Sequence, residues 1–241
     1  MIRVDRAELT RNEIIRVAAN RFLNEGYTKT TVSSIAKALN MSTGNLTFHF
    51  PTKDHLLAEL VSMLVRYQDK MMAEEAKDGY SSVLAICLEL LTIASACEQD
   101  EIAKDFFLST YRSQICMELI RKKDKERAKR VFKDYCPEWT DERFEEAETL
   151  VSGIEYASLM TTSNSTSLEM RISGALNTIL CIYNVPDDIR KQKIEKVLAM
   201  DYRSIGRRIL QEFKDYVNQL DDEDIDELLI PLQERNKKGT E

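Results

Sequence analysis

The sequence predicts an all-α protein: an N-terminal three-helix helix-turn-helix domain followed by a larger C-terminal helical bundle. Two observations predict it. The 241 residues contain only 7 Gly and 4 Pro, too few for the many turns of an all-β fold. Apolar residues recur at i, i+3, i+4 and i+7 in segment after segment, against a background rich in Leu, Ala, Glu, Lys, Arg and Met. No stretch alternates in the manner of a strand, and no internal repeat is visible.

The first periodic segment runs from about Thr10 to Asn24, with Ile14, Ile15, Ala18, Ala19, Phe22 and Leu23 on one face, and Gly26 suits its C-terminus. Thr30 or Thr31 caps a short second helix striped by Val32, Ile35, Ala36 and Leu39. Asn40 breaks it, and Ser42 caps a third short helix to about Phe48. Pro51 ends that helix, because the residue before a proline disfavours the α region. A long fourth helix opens at Thr52 or Lys53 and runs to about Lys77. Further helices are expected over 81–97, 101–111, 114–135, 141–161, 168–184, 187–199 and 202–220. The expected organisation is a head over 1–52, a helical body over 53–220, and an acidic tail over 221–241 of low structural content.

Charge divides the chain in the same way. Residues 1–55 hold eight Lys/Arg against five Asp/Glu, or +3, so the remainder of the −7 total carries −10. A basic head on an acidic body fits a DNA-facing domain. No apolar stretch is long enough to span a membrane, and the charged start MIRVDRAELTRNE has no apolar leader core, so a cytoplasmic protein without membrane partner is expected. Five scattered cysteines without a C-x-x-C pair argue against a disulfide framework or thiolate zinc site. They read as small core residues, with Cys136 in a loop as the exception.

Enzyme chemistry finds no footing. Both histidines, His49 and His55, lie in the head; the body has no histidine base, no G-x-S-x-G, no phosphate-binding glycine loop and no H-E-x-x-H. Neither a cofactor nor a metal is expected. Acidic runs such as Glu145-Glu146 read as solvated faces.

Residues Val32 to Phe50 instead have the outline of a helix-turn-helix. The inward stripe is apolar, whereas the second helix presents Ser42, Thr43, Gly44, Asn45 and Thr47. A helix entering the major groove needs such slim polar side chains, since amides and hydroxyls bond base edges and phosphates.

The run TTVSSIAKALNMSTGNLTFHFPTKDHLL resembles the DNA-binding segment of the tetracycline-repressor (TetR) family of bacterial regulators. Thr30-Thr31, Ile35-Ala36, Ser42, Gly44, Leu46, His49-Phe50, Lys53 and Leu56 fall in register with the family pattern, across roughly the first quarter of the chain. The sequence departs from it at two places. Asn40-Met41 replaces the frequent Gly-Val of the turn, which Asn tolerates because it adopts left-handed φ. Thr47 replaces a tyrosine that touches a DNA phosphate.

The resemblance implies a non-enzymatic regulator of transcription, most often a repressor, acting as a homodimer on a palindromic stretch of double-stranded DNA. It makes Ser33, Thr43, Gly44 and Asn45 candidates for base contact, Asn45 foremost because an amide can bond adenine twice. Thr31, Ser42, Thr47, His49 and Lys53 become phosphate candidates, and Phe48 a contact to sugar or thymine methyl. Arg3, Arg6 and Arg11 serve either as a DNA-reaching arm or as solvated charges. The implied dimer seam uses Leu150, Ile154 and Ala157 together with Ile172, Ala175, Leu176 and Ile179. A small-molecule effector is expected among Phe106, Phe107, Tyr111, Met117, Tyr156 and Met160, and the helices over 187–220 cover that pocket or extend the interface. The competing reading is a helical adaptor that uses the head to hold another protein and ignores duplex DNA.

Overall fold

The computed structural model describes residues 6–76 and 82–219. Arg3, the side chain of Arg6 and the tail 221–241 lie outside the described residues. Within them the chain forms α1 (Arg6–Asn24), α2 (Val32–Ala38), α3 (Thr43–His49), α4 (Lys53–Ala76), α5 (Val83–Gln99), α6 (Glu101–Arg112), α7 (Gln114–Val131), α8 (Asp141–Leu159), α9 (Leu168–Ile182), α10 (Asp187–Leu198) and α11 (Tyr202–Gln219).

The head is built by its own apolar stripes. Ile14, Ile15, Ala18 and Phe22 of α1 are fully buried, as are Ile35 of α2, Leu46 of α3, Phe50, and Leu56 and Leu57 of α4. Local chemistry sets the ends. Thr31, not Thr30, caps α2: its hydroxyl accepts from the Ser34 amide, and the Ser34 hydroxyl accepts from the Thr31 amide. The Thr30 hydroxyl is buried and donates to the Gly26 carbonyl at 2.8 Å. Asn40 takes φ 52° and turns the chain from α2 into α3. Gly26 takes φ 99° after α1, where a side chain would be strained. Arg11 is not part of an arm: it sits on α1 with its guanidinium 3.6 Å from the nearly fully buried Glu59 and over the Phe50 ring.

The body is organised around α5, whose sequence VLAICLELLTIASAC is apolar on nearly all sides and is packed on nearly all sides. It meets α4, α6, α9, α10 and α11. The approach of α11 is close: a Cβ on Gly206 would lie 2.8 Å from the Thr92 carbonyl oxygen, so a side chain there would push the two helices apart. The last two helices therefore buttress α5, and α11 also packs on α1 of the head. α7 stops at Val131, a turn earlier than expected, because Phe132 and Cys136 fold inward beneath Tyr183. The Phe132 and Tyr183 rings stack at 4.1 Å.

Two expectations need correcting. Cys136 is buried and Cys181 is exposed, the reverse of the reading from the loop position. On α9, Ile172, Ala175, Leu176 and Ile179 all turn into the protomer's own core, Ile172 and Leu176 with no exposure at all. They are satisfied within the chain and unavailable to a partner. The outward face of α9 carries Met170, Gly174, Asn177, Thr178 and Cys181 instead.

Candidate nucleic-acid interface and internal cavity

α3 has two faces of opposite character. Leu46 is fully buried and Phe50 closes the inner side, while Ser42, Thr43, Gly44, Asn45 and Phe48 are exposed. Phe48 does not pack on α4: it is 82% exposed, its ring edge-on to His49. The Ser42 hydroxyl oxygen accepts from the Asn45 amide at 3.1 Å, which leaves its proton free to donate outward. The Asn45 side chain makes no hydrogen bond with any described residue, so its amide is at liberty. Gly44 has open space: an added Cβ would meet only the Ser42 hydroxyl at 3.9 Å, so nothing inside the protein demands glycine there.

The remaining candidates are placed differently. Thr31 and Ser33 are exposed on α2, beside the α3 edge. The Thr47 hydroxyl donates back to the Gly44 carbonyl at 3.2 Å and is half-buried. His49 is half-buried, and desolvation followed by the nearby Arg11 charge lowers its pKa, which favours the neutral imidazole. Lys53 turns inward. Its ammonium donates to the Tyr27 and Thr30 carbonyls, each at 2.9 Å, and lies 3.9 Å over the Tyr27 ring.

The body holds a cavity of about 100 Å³ between α4, α5, α6, α7, α8 and α9. Of the effector candidates, Phe107 and Tyr111 line it. Phe106 is fully buried beside it, and Met117, Tyr156 and Met160 do not reach it. Tyr156 and Met160 belong to the outer side, where they meet Arg112. The lining includes four carboxylates that were not anticipated: Glu89 of α5, Asp124 of α7, and Glu148 and Glu155 of α8. Arg127 of α7 pairs with Glu89. Glu148 accepts from the Tyr183 hydroxyl, and Glu155 from the Tyr111 hydroxyl at 3.1 Å. Burial pushes the Glu148 carboxyl up to about 7 and the Glu155 carboxyl up to about 8. A signal was present in the sequence: Glu148 and Glu155 are seven apart and share a helix face with Phe144 and Val151, so they intrude on an apolar stripe.

Cavity and head are joined through α6. Phe107 and Tyr111 face the cavity, whereas Asp105 reaches the head, accepting from the Thr28 amide at 2.8 Å and from the Thr28 hydroxyl. Thr28 follows Tyr27, whose hydroxyl donates to Asp54 at the start of α4. The α1–α2 loop is thus tied both to the cavity wall and to the long helix leaving the head.

Two short helices joined by a left-handed asparagine, with an apolar inner face and a slim polar outer edge, define a helix-turn-helix DNA-binding domain. Residues 14–60 match the family described as bacterial regulatory proteins, tetR family. The match is confined to the head, from α1 into the start of α4. It is 34% identical over 68 residues to the HTH-type transcriptional regulator QacR of Staphylococcus aureus (strain Mu50 / ATCC 700699), a match spanning 28% of this chain and 36% of the relative. The likeness therefore covers about a third of that relative's length. Among solved structures, a gamma-butyrolactone receptor (ArpA-like protein) is 20% identical over 87% of this chain and 100% of its own, with a TM-score of 0.40. CprB of S. coelicolor A3(2), a TetR family protein, is 22% identical over 85% and 99% respectively, with a TM-score of 0.41.

Proposed function

We propose that the protein is a ligand-responsive transcriptional regulator that represses by binding a palindromic operator as a homodimer. The observation that carries this reading is the outer edge of α3, where Thr43, Gly44, Asn45 and Phe48 stand in solvent above a buried Leu46. An edge of hydroxyls, one free amide and a backbone uncovered at glycine fits the floor of a major groove. Ser33 and Thr31 extend the edge along α2, and Ser42 and His49 are donors for flanking phosphates.

A single such head covers only a few base pairs, so a two-fold pair is needed for useful affinity. The surface best suited to self-association is the exterior of α8 and α9. Leu150 is 51% exposed and Met170 66%, and Ala157 is exposed with Ile154 half-buried beside it. An added Cβ on Gly153 or Gly174 would touch nothing within 4 Å, so a partner helix can approach closely at both. The seam proposed here keeps Leu150, Ile154 and Ala157 and replaces the inward residues of α9 with Met170 and Gly174. The domain division follows: the reading head over 1–52 and the dimerising, effector-binding body over 53–220.

Release follows from the α6 connection. A ligand that expands the cavity moves Phe107 and Tyr111, carries Asp105 with them, and shifts the loop at Thr28 that sets the angle of the head. Selection of random duplex DNA by the purified protein, with the stoichiometry of the complex measured by light scattering, tests the proposal. An inverted repeat bound by two chains is expected. Failure to enrich any duplex would favour the adaptor reading.

A further inference from the structure

We propose that the carboxyl cluster around the cavity is a proton switch on DNA binding: while neutral it keeps the cavity shut and the head set for the operator, and once ionised it opens the cavity wall and releases the DNA. The proposal rests on the reading above that an expanding cavity frees the operator, and it names a regulation of that site that needs no organic ligand. The lining sets Glu89, Asp124, Glu148 and Glu155 against a single cation, Arg127, which pairs with Glu89. One guanidinium offsets one carboxylate. If all four were ionised, three negative charges would stand uncompensated around a space of about 100 Å³. The rest of the wall is largely carbon, with Val61, Leu64 and Val65 of α4 and Ile179 of α9 among it. Like charges confined in so small an apolar space do not all ionise, so the shut cavity keeps most of its carboxyls as neutral acids.

Ionisation makes the shut cavity costly. A carboxylate there needs water that a carbon wall does not supply, and it repels its neighbours. The wall that yields is set by the packing. α5 is buried on nearly all sides and is held in place by five other helices. α6 carries Phe107 and Tyr111 on the wall, and the Tyr111 hydroxyl donates to Glu155 at 3.1 Å. A Glu155 carboxylate that moves toward water takes Tyr111 with it. The same helix holds Thr28 of the head through Asp105, so the displacement reaches the α1–α2 loop.

The direction of the switch follows from the groups that face Glu148 and Glu155. Among the described residues these are Glu89 from α5, Tyr111 from α6, Arg121, Asp124 and Arg127 from α7, and Tyr183 after α9, with none from α4. Arg121 donates to Ser152 at 3.0 Å. The tyrosine hydroxyls and Arg127 ease ionisation, but burial outweighs them and holds Glu148 up to about 7 and Glu155 up to about 8. Burial raises Asp124 as well. In the open form, water returns Glu148 and Glu155 toward the ordinary carboxyl range. Protons therefore favour the shut form fully below that range, and the preference is lost as pH rises through about 7 and 8. His49 and His55 of the head also titrate, each lowered first by burial, but they lie outside the cavity and act equally on any variant of it.

The test measures the affinity of the full chain for its selected duplex at a series of pH values at fixed ionic strength, by fluorescence anisotropy. Hydrogen exchange of the α6 amides without DNA, corrected for the intrinsic effect of pH, is followed in parallel. The same measurements are made on Glu155→Gln and on the double variant Glu148→Gln/Glu155→Gln, which keep shape and cannot ionise. Between pH of about 6 and about 8 the parent should lose about tenfold in affinity, and α6 should lose protection over the same range. The double variant should lose about threefold or less, with Glu155→Gln alone in between. Operator binding by the parent near neutral pH should take up about one proton, measured by calorimetry in two buffers of unlike ionisation heat, and this arm stands even if the variants fail to fold. No proton uptake, or a parallel fall in parent and double variant, overturns the proposal. Loss of α6 protection with constant operator affinity overturns the switch and leaves the regulator reading intact. Binding to no duplex at any pH overturns both.

Discussion

Lys53→Met separates two roles for the same residue. As a phosphate contact, Lys53 would add to affinity for every DNA sequence and contribute about one to the salt slope. The geometry argues for an internal role, since its ammonium bridges the Tyr27 and Thr30 carbonyls at 2.9 Å each and caps the Tyr27 ring at 3.9 Å. Charge-assisted hydrogen bonds contribute about 1.5–3 kcal/mol each when well shielded, and a cation–π contact about 0.5–1. Lys53 is only half-buried, so solvent screening reduces the sum, and we expect a loss of about 2 kcal/mol. Methionine preserves the apolar stem, so the loss reports the ammonium. For a chain of this length that corresponds to a fall in Tm of about 4–8 °C. Thermal unfolding followed by circular dichroism, alongside operator binding at several salt concentrations, distinguishes the roles. Unchanged stability together with a salt slope reduced by one would refute the internal role.

Other perturbations probe the rest of the account. Asp105→Ala removes both bonds from α6 to Thr28 and is expected to leave operator affinity within about threefold while lowering the effector's influence on it about tenfold; parallel titrations of DNA with and without effector measure both. Glu148 and Glu155 have folded-state carboxyls raised to about 7 and about 8 by burial, so the folded protein holds protons that the unfolded chain releases. That contribution to stability is complete in acid, below the ordinary carboxyl range, and is lost as pH rises through about 7 and 8. Glu155→Gln, neutral at every pH, should match the parent at pH near 5 and exceed it by on the order of 1–3 kcal/mol near pH 9 in urea unfolding; a constant difference across that range would contradict the burial. Leu150→Glu places a charge on the exposed face of α8 and should yield a folded monomer by light scattering; an unchanged dimer would move the interface elsewhere.

The helices were legible because each buries a stripe with the period that a helix imposes, and the α2–α3 turn because Asn40 and the caps Thr31 and Ser42 are local chemistry. Orientation toward a partner was not legible. Ile172, Leu176 and Ile179 repeat at helical spacing whether they meet their own chain or another, and periodicity records burial without saying who covers the stripe. The cavity was half legible. Phe107 and Tyr111 stood out as aromatic, but Asp124 sits in a run of lysines and acids, KKDKERAKR, that reads as solvent-facing. The internal bonds of Lys53 were not legible either: its register matches a motif, while the carbonyls that accept from it lie 23 and 26 residues earlier in the chain.

The reading edge of α3 is tested most directly by repeating the DNA selection with Asn45→Ala. The Asn45 side chain is solvent-exposed and makes no bond within the described protein, so its removal should not unfold the head. If that edge lies in the major groove, the base preference should relax at one position of each half-site by about 1–3 kcal/mol and stay intact at the others. An unaltered preference at every position would mean that another surface reads the DNA.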